Sequence, residues 1–250
     1  MSRTIRAPVT ATLSDTGSRI LTATLAFLAS AIVLCMVVGI FATGFSQEFF
    51  QLAPSIGAIA EQLSDQPAHA FGLRLNLGLD NLFIVVYCAF FVLLAVRLRG
   101  LLSPVAIGVA LAVLLLTGLL DALENHHILA VLHALQHGAP LSSDELKFQM
   151  VESNLKFHAS YIGSFLFAFG FFRLGGLGRV IAWLLWLGYV PLGMITFAVP
   201  AETTVPFALA RTAFFVLAFA LAGVHFLRNQ QASSPAATWH NEENIGAARA

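Results

Sequence analysis

An all-α fold, a polytopic bundle of six transmembrane helices with both termini cytoplasmic, is what this sequence predicts, and three observations carry the prediction. The 250 residues are 58% hydrophobic and only 10% charged. The apolar residues gather in blocks of about 20, the length a helix needs to cross roughly 30 Å of hydrocarbon. Arginines gather in the short segments at one end of those blocks. Six such blocks in so short a chain leave too little polar surface for a water-soluble globule. Lipid offers backbone groups no partner, so each block must be helical.

Taken in order, residues 1–18 are polar and read as a flexible N-terminal tail, 19–228 as a single six-helix transmembrane domain, and 229–250 as a second flexible tail. The spans fall at about 20–45, 79–96, 101–123, 149–172, 180–199 and 206–227. The first follows Arg3, Arg6 and Arg19 as a signal sequence would, but at about 25 residues it is too long for a cleaved apolar region and fits a retained span. Residues 46–78 form an outer loop in which Pro54 starts a short helix, and Ile56, Ile59, Ala60 and Leu63 share one face of it, the pattern of an interfacial helix. RLRG at 97–100 and RLGGLGR at 173–179 are tight turns; the latter lacks the strand and spacing of a phosphate loop.

Ser103 and Pro104 make an N-cap and first-turn pair, and no stop signal follows until Gly138 and Pro140, so the third helix outruns the membrane at roughly 50 Å. Ser142 to Glu145 is a capping box that opens the fourth. Together they predict an antiparallel helical hairpin protruding over residues 121–152 or so. Pro191 is placed to kink the fifth span, with Trp183 and Trp186 as interface anchors near its inner end.

With the N-terminus inside, nine of the 13 Lys and Arg lie on inner segments and ten of the 13 acids lie outside, so a formal net charge of zero conceals opposite charges on the two faces. That asymmetry predicts a multi-pass protein of a plasma (inner) membrane, with the lipid bilayer as its first partner. No basic patch points to nucleic acid. Cys35 and Cys88 both fall in spans, which argues against a disulfide scaffold or an exposed redox pair. No internal repeat supports an inverted-repeat transporter.

The polar residues inside the spans carry the functional reading. Asp80, Lys156 and Arg211 each stand 17 residues from an inner arginine, namely Arg97, Arg173 and Arg228, so all three share one plane near the outer edge of the hydrocarbon. Asp121 and Glu152 lie about one turn higher, with Glu124 and Asn125 above them. Thr117, Asp121, Glu124 and Asn125 fall on one face of the third span, and Gln149, Glu152, Lys156, Ser160 and Gly163 on one face of the fourth. These stripes predict an outward-facing polar cavity built from spans two, three, four and six. Its expected ligand-binding residues are Asp80, Asp121, Glu124, Asn125, Glu152, Lys156 and Arg211. Glu152 and Lys156 are also an i,i+4 pair in the favoured order. The plainer alternative lets Lys156 and Arg211 snorkel, Asp80 cap the second span and Glu152 serve only Lys156.

DALENHHILAVLHALQHG, residues 121–138, adds four histidines. His126, His133 and His137 share a face opposite the acidic stripe, HALQH has the i,i+4 spacing of a two-imidazole metal site, and Glu124 with His127 makes a Glu-x-x-His pair. Glu124, His126, His127, His133 and His137 are therefore the metal candidates and a divalent metal the candidate cofactor, although no second Glu-x-x-His and no His-Glu-x-x-His completes either pattern. His158 lies with Asn154 and Tyr161 on the other side of its helix.

No catalytic residue is assigned. YIGSF at 161–165 lacks the glycine after Ser164 that the Gly-x-Ser-Gly of rhomboid proteases requires. Three functions follow, in order. The first is a non-enzymatic protein whose cavity binds, senses or passes a small polar or charged solute. The second is an outer-leaflet enzyme, a metal-assisted hydrolase acting on a lipid-type substrate through its headgroup. The third is an assembly or scaffold subunit that meets a protein partner at the outer hairpin.

Overall fold

The computed structural model describes residues 15–45, 56–65, 67–139 and 143–231. Within them the fold is all-helical, a multi-pass membrane bundle without strands. In chain order the helices are α1 (Asp15–Thr43), α2 (Ile56–Asp65), α3 (Pro67–Arg97), α4 (Pro104–Gln136), α5 (Ser143–Leu174), α6 (Leu177–Trp183), a π-helical segment (Leu184–Tyr189), α7 (Val190–Ala198) and α8 (Ala201–Gln231). Six stretches are long and apolar enough to cross a membrane: Thr16–Thr43, Ala68–Arg97, Pro104–Gln136, Lys147–Leu174, Leu177–Ala198 and Thr203–Arg228. Phe41, Val85, Val105 and Leu187 are more than half exposed on the outside of the bundle, as a surface solvated by lipid tails requires.

Two boundaries differ from the sequence reading in ways that shape the site. Helix α3 starts at Pro67, so much of the segment read as outer loop is helical, and Asp80 lies in the helix interior, where it caps nothing. Arg74, Asn76 and two glycines dilute the apolar pattern of residues 67–78, while packing sustains the helix. Leu73 and Leu77 are fully buried with Phe45, Ile59, Ile128 and Leu132 in a small second core. Helix α2 contributes Ile59 to that core, so its apolar face is turned into protein. Pro54, read as its start, lies outside the described residues. Helices α1 and α8 also extend into the segments read as tails, beginning at Asp15 and ending at Gln231.

The hairpin of α4 and α5 follows its local signals. The Ser103 hydroxyl accepts from the Ala106 amide at 3.2 Å and Pro104 occupies the first turn. Gly138, at φ +64, leaves the helix in a left-handed conformation that a side chain would resist. Ser142 of the expected capping box lies outside the described residues. Asp144 and Glu145 stand in the first turn of α5, where acids complement the helix dipole. The two helices approach closely because Gly163 of α5 faces Leu114 of α4, where a Cβ would overlap that leucine. In the fifth span, Pro191 cannot donate to the carbonyl four residues back and its ring crowds it. The helix absorbs this by widening into the π-helical segment immediately before.

The main core fills the half of the bundle nearest the arginine turns. Phe90, Phe91, Leu94, Phe167, Phe171 and Phe219 interlock there, with Phe90 and Phe219 edge to face at 5.0 Å between centroids. The other half is different in kind.

Candidate functional site: a buried ionic cluster beside a central cavity

Asp121, Glu124 and Asn125 recur at helical spacing on α4 and face α5 and α3 rather than lipid. All three are buried, Glu124 and Asn125 completely. From α5, Lys156 reaches across to both acids: its Nζ donates to Asp121 Oδ1 at 2.6 Å and also pairs with Glu124 Oε2. Two charges taken out of water cost more than their attraction returns unless the remaining lone pairs are also met. Here they are. The Tyr87 hydroxyl of α3 donates to Asp121 Oδ2 at 3.0 Å, and Gln149 Nε2 of α5 donates to Glu124 Oε1 at 3.0 Å. Asn125 continues the network to α3, donating to Asp80 Oδ2 at 2.8 Å and to Asn81 Oδ1 at 3.3 Å.

Beside this cluster lies a cavity of about 190 Å³ whose wall draws on all six spans. Asn76, Asp80, Asp121, Lys156, Ser160 and Arg211 supply its polar side, and Val33, Met36, Phe83 and Phe215 part of its apolar side. Arg211, 6% exposed, comes from α8. Its guanidinium lies 4.0 Å from the centre of the Phe157 ring, and its Nη1 donates to the Tyr161 hydroxyl at 3.3 Å. Tyr161 is held in turn by Gly193 of α7, where any Cβ would overlap the ring. Ser160 and Tyr189, also on the wall, hydrogen-bond to each other. Asn76 is 3% exposed, yet neither its Oδ1 nor its Nδ2 has a hydrogen-bond partner among the described residues.

Of the seven residues expected to bind ligand, Asp80, Asp121, Lys156 and Arg211 line this one cavity. Glu124 and Asn125 stand behind the wall, bonded to residues that form it. Glu152 is elsewhere. Its Oε2 meets His127 Nδ1 at 3.1 Å, while His127 Nε2 meets Glu145 Oε2 at 3.0 Å. Lys156 therefore does not take the i,i+4 pairing with Glu152, because two buried carboxylates across the helix interface outbid one that stays 30% exposed. Lys156 does not snorkel either: it is 5% exposed and held between its two acids.

The histidine candidates point away from the cavity. His126 is exposed with Nδ1 against the Ala122 carbonyl at 2.7 Å, and His133 and His137 are exposed with ring centroids 4.1 Å apart. Glu124 and His127, neighbours in the Glu-x-x-His pattern, face different partners. Among the described residues no three His, Cys, Asp or Glu side chains form a group able to hold a metal. His158 is exposed on the far side of α5, beside Phe197 at 4.7 Å.

Sequence reasoning missed Asn76, Tyr87 and Tyr189. The first two carried a usable signal: Asn76 precedes Asp80 by four residues and Tyr87 follows it by seven, so all three share a face of one helix. Starting the second span at 79 hid Asn76. Tyr189 gave none, since an aromatic residue in an apolar run has no helical phase until the π-helical segment is known.

Fold and site together define a multi-pass membrane helix bundle with an ion pair buried among its spans. No protein-family model matches the chain, nor does any curated protein or solved structure.

Proposed function

We propose that this protein binds a small polar or charged solute in the cavity between its six spans, and senses it or passes it across the bilayer. The observation that carries the reading is Asn76. It is a buried amide on the cavity wall with both polar atoms unpartnered among the described residues; Asn125, Gln149 and Ser153 each leave one such atom, but none of the three lines the cavity. Leaving a buried polar group unsatisfied costs about 1–3 kcal/mol, so an occupant that supplies the missing bonds is favoured. Size agrees, since a cavity of about 150 Å³ holds a benzene-sized molecule. Asp80, Asp121, Lys156 and Arg211 are the wall's charged contacts in this reading; Glu124 and Asn125 position them, and Glu152 belongs to the rim.

The single six-helix domain keeps both termini on the cytoplasmic face of a plasma membrane, with the Gly138 turn outside, on the strength of the arginine asymmetry. A cysteine placed at 138 is then labelled by a membrane-impermeant thiol reagent in intact cells, and one placed at 175 is not.

The binding test is a thermal-shift screen of detergent-purified protein against small solutes of each charge class, repeated with Asp80→Asn and with Ser160→Leu, which fills the cavity. A solute that stabilises the parent and neither variant supports the reading. If no small polar solute stabilises the parent, or if Ser160→Leu responds as the parent does, the cavity is not a binding site.

A further inference from the structure

The bonding already present on the cavity wall selects among solutes, and this selection rests on the binding role proposed above. The charged groups of the wall are engaged within the protein. Lys156 is held between Asp121 and Glu124, Asp80 accepts from Asn125, and Arg211 donates to Tyr161 and lies over the Phe157 ring. Asp80 and Arg211 each hold a further interaction as well. Ser160 and Tyr189 bond to each other, and the Thr117 hydroxyl donates to the Val113 carbonyl at 3.0 Å. An ion entering here would exchange its water for groups that already have partners, which is unfavourable for either sign of charge.

Asn76 is the exception on this wall, and what it lacks is specific. It keeps one acceptor, Oδ1, and one donor, Nδ2, both buried and both without a partner among the described residues. The two atoms share one planar amide, so turning it over exchanges them and leaves the demand the same. An ammonium brings only donors and a carboxylate only acceptors, so either would leave one Asn76 atom stranded. A primary carboxamide carries an N–H donor and a C=O acceptor side by side and answers both through two parallel bonds. Water can also meet both atoms, but it gains nothing from Val33, Met36, Val37, Phe83 and Leu209, the hydrocarbon of the same wall. A short alkyl chain attached to the amide does gain from it.

We infer that the solute is a small uncharged carboxamide, its amide paired head to head with Asn76 and its hydrocarbon part against the apolar side of the cavity. The volume limits it to a molecule of roughly benzene size.

Four probes of similar size and different bonding test this: butyramide, 2-pentanone, butyrate and butylammonium. 2-Pentanone has the shape of butyramide with a methyl group in place of the NH2, so it keeps the acceptor and loses the donor. Each probe is added to the detergent-purified full chain at equal concentration, pH and ionic strength, with thermal unfolding as the readout. Butyramide is expected to raise Tm saturably, by on the order of 5 °C at a hundredfold excess over its Kd, while the other three leave it in place. Asn76→Leu and the smaller Asn76→Ala are each expected to raise the butyramide concentration needed for half of that shift at least tenfold. Because Asn76→Leu removes two unpartnered polar atoms, the variant without solute is expected to melt no lower than the parent. If it melts well below the parent, the amide is bonded within the fold and the placement falls. A butyramide response unchanged in both Asn76 variants also overturns the placement. A response to 2-pentanone, butyrate or butylammonium that matches or exceeds that to butyramide overturns the carboxamide, and its loss in Ser160→Leu would leave a solute-binding cavity standing. No response to any of the four overturns the carboxamide, and the wider solute screen then decides separately whether the cavity binds anything.

Discussion

The hairpin of α4 and α5 carries two charged clusters built from the same kinds of residue, about one turn apart, and their fates differ. In the lower one Lys156 sits between Asp121 and Glu124, with side chains no more than 11% exposed. In the upper one His127 sits between Glu152 and Glu145, whose side chains are 30% and 47% exposed. Each has one nitrogen base facing two carboxylates. Depth separates them. Below, the side chains are nearly cut off from bulk solvent and each carboxylate takes a second donor, Tyr87 for Asp121 and Gln149 for Glu124; above, solvent screens the charges and can replace any bond that is lost. A pattern of acids and bases on a helix therefore says little about energetics until its burial is known.

Removing Lys156 should break this comparison most sharply. Lys156→Met leaves Asp121 and Glu124 facing each other without a counter-charge, and removing one partner of a buried pair costs about 3–5 kcal/mol. Thermal unfolding of the purified variant should show a large loss of Tm. Asp121→Asn and Glu124→Gln added to the same chain should restore most of it, because the charges that were left stranded are gone. If the single variant is no less stable than Glu152→Gln, depth is not what distinguishes the clusters.

Gly193→Leu comes next. Its side chain would be driven into the Tyr161 ring, and overpacking of this kind costs about 1–3 kcal/mol. Since Tyr161 accepts from Arg211, the variant should also weaken binding of any solute that stabilises the parent. A Tm and a solute response both equal to the parent's would show that this contact does not hold the cavity wall.

At the rim, His127→Ala is expected to cost under about 1 kcal/mol, because both of its carboxylate partners are partly solvated. A loss as large as that of Lys156→Met would mean the upper cluster is buried in the membrane-embedded protein.

The smallest effect belongs to Lys147 and Asp144, an exposed pair at 2.8 Å near the start of α5. The hydrogen bond and charge of Lys147 hold the Asp144 carboxyl below the ordinary carboxylate range. A depressed carboxylate pKa stabilises the fold above that range and loses its contribution as pH falls through the folded-state value. With both groups open to solvent the contribution should be too small to see. The Tm of Lys147→Ala should track the parent's from neutral pH down through the carboxylate range, and a gap that closes on acidification would contradict this.

Much of this molecule was legible before folding. Apolar blocks of membrane-crossing length dictated six helices, because backbone groups in lipid have no other way to bond. Ser103, Pro104 and Gly138 marked the ends of α4, and the 100° step of a helix put Asp121, Glu124 and Asn125 on one face and Lys156 and Ser160 on another. Counting from Arg97, Arg173 and Arg228 set Asp80, Lys156 and Arg211 at one depth, and all three line one cavity. Each of these inferences uses the geometry of a single helix, which sequence order specifies.

What only the tertiary structure decided is how those helices turn toward one another. Lys156 had three acids within plausible reach, and the choice of Asp121 and Glu124 over Glu152 follows from the close approach that Gly163 allows and from which carboxylates lose their water. Asn76 joined the site because Leu73 and Leu77 bury with Phe45, just past α1, and with α2 and α4, and carry α3 a further three turns or so, at 3.6 residues per turn, beyond the apolar block. Tyr189 reached the cavity through a π-helical segment that re-phases the fifth span ahead of Pro191. Periodicity sets the angle and height of a side chain on its own helix; rotation about that axis and the identity of the neighbour are settled by packing between segments far apart in the chain.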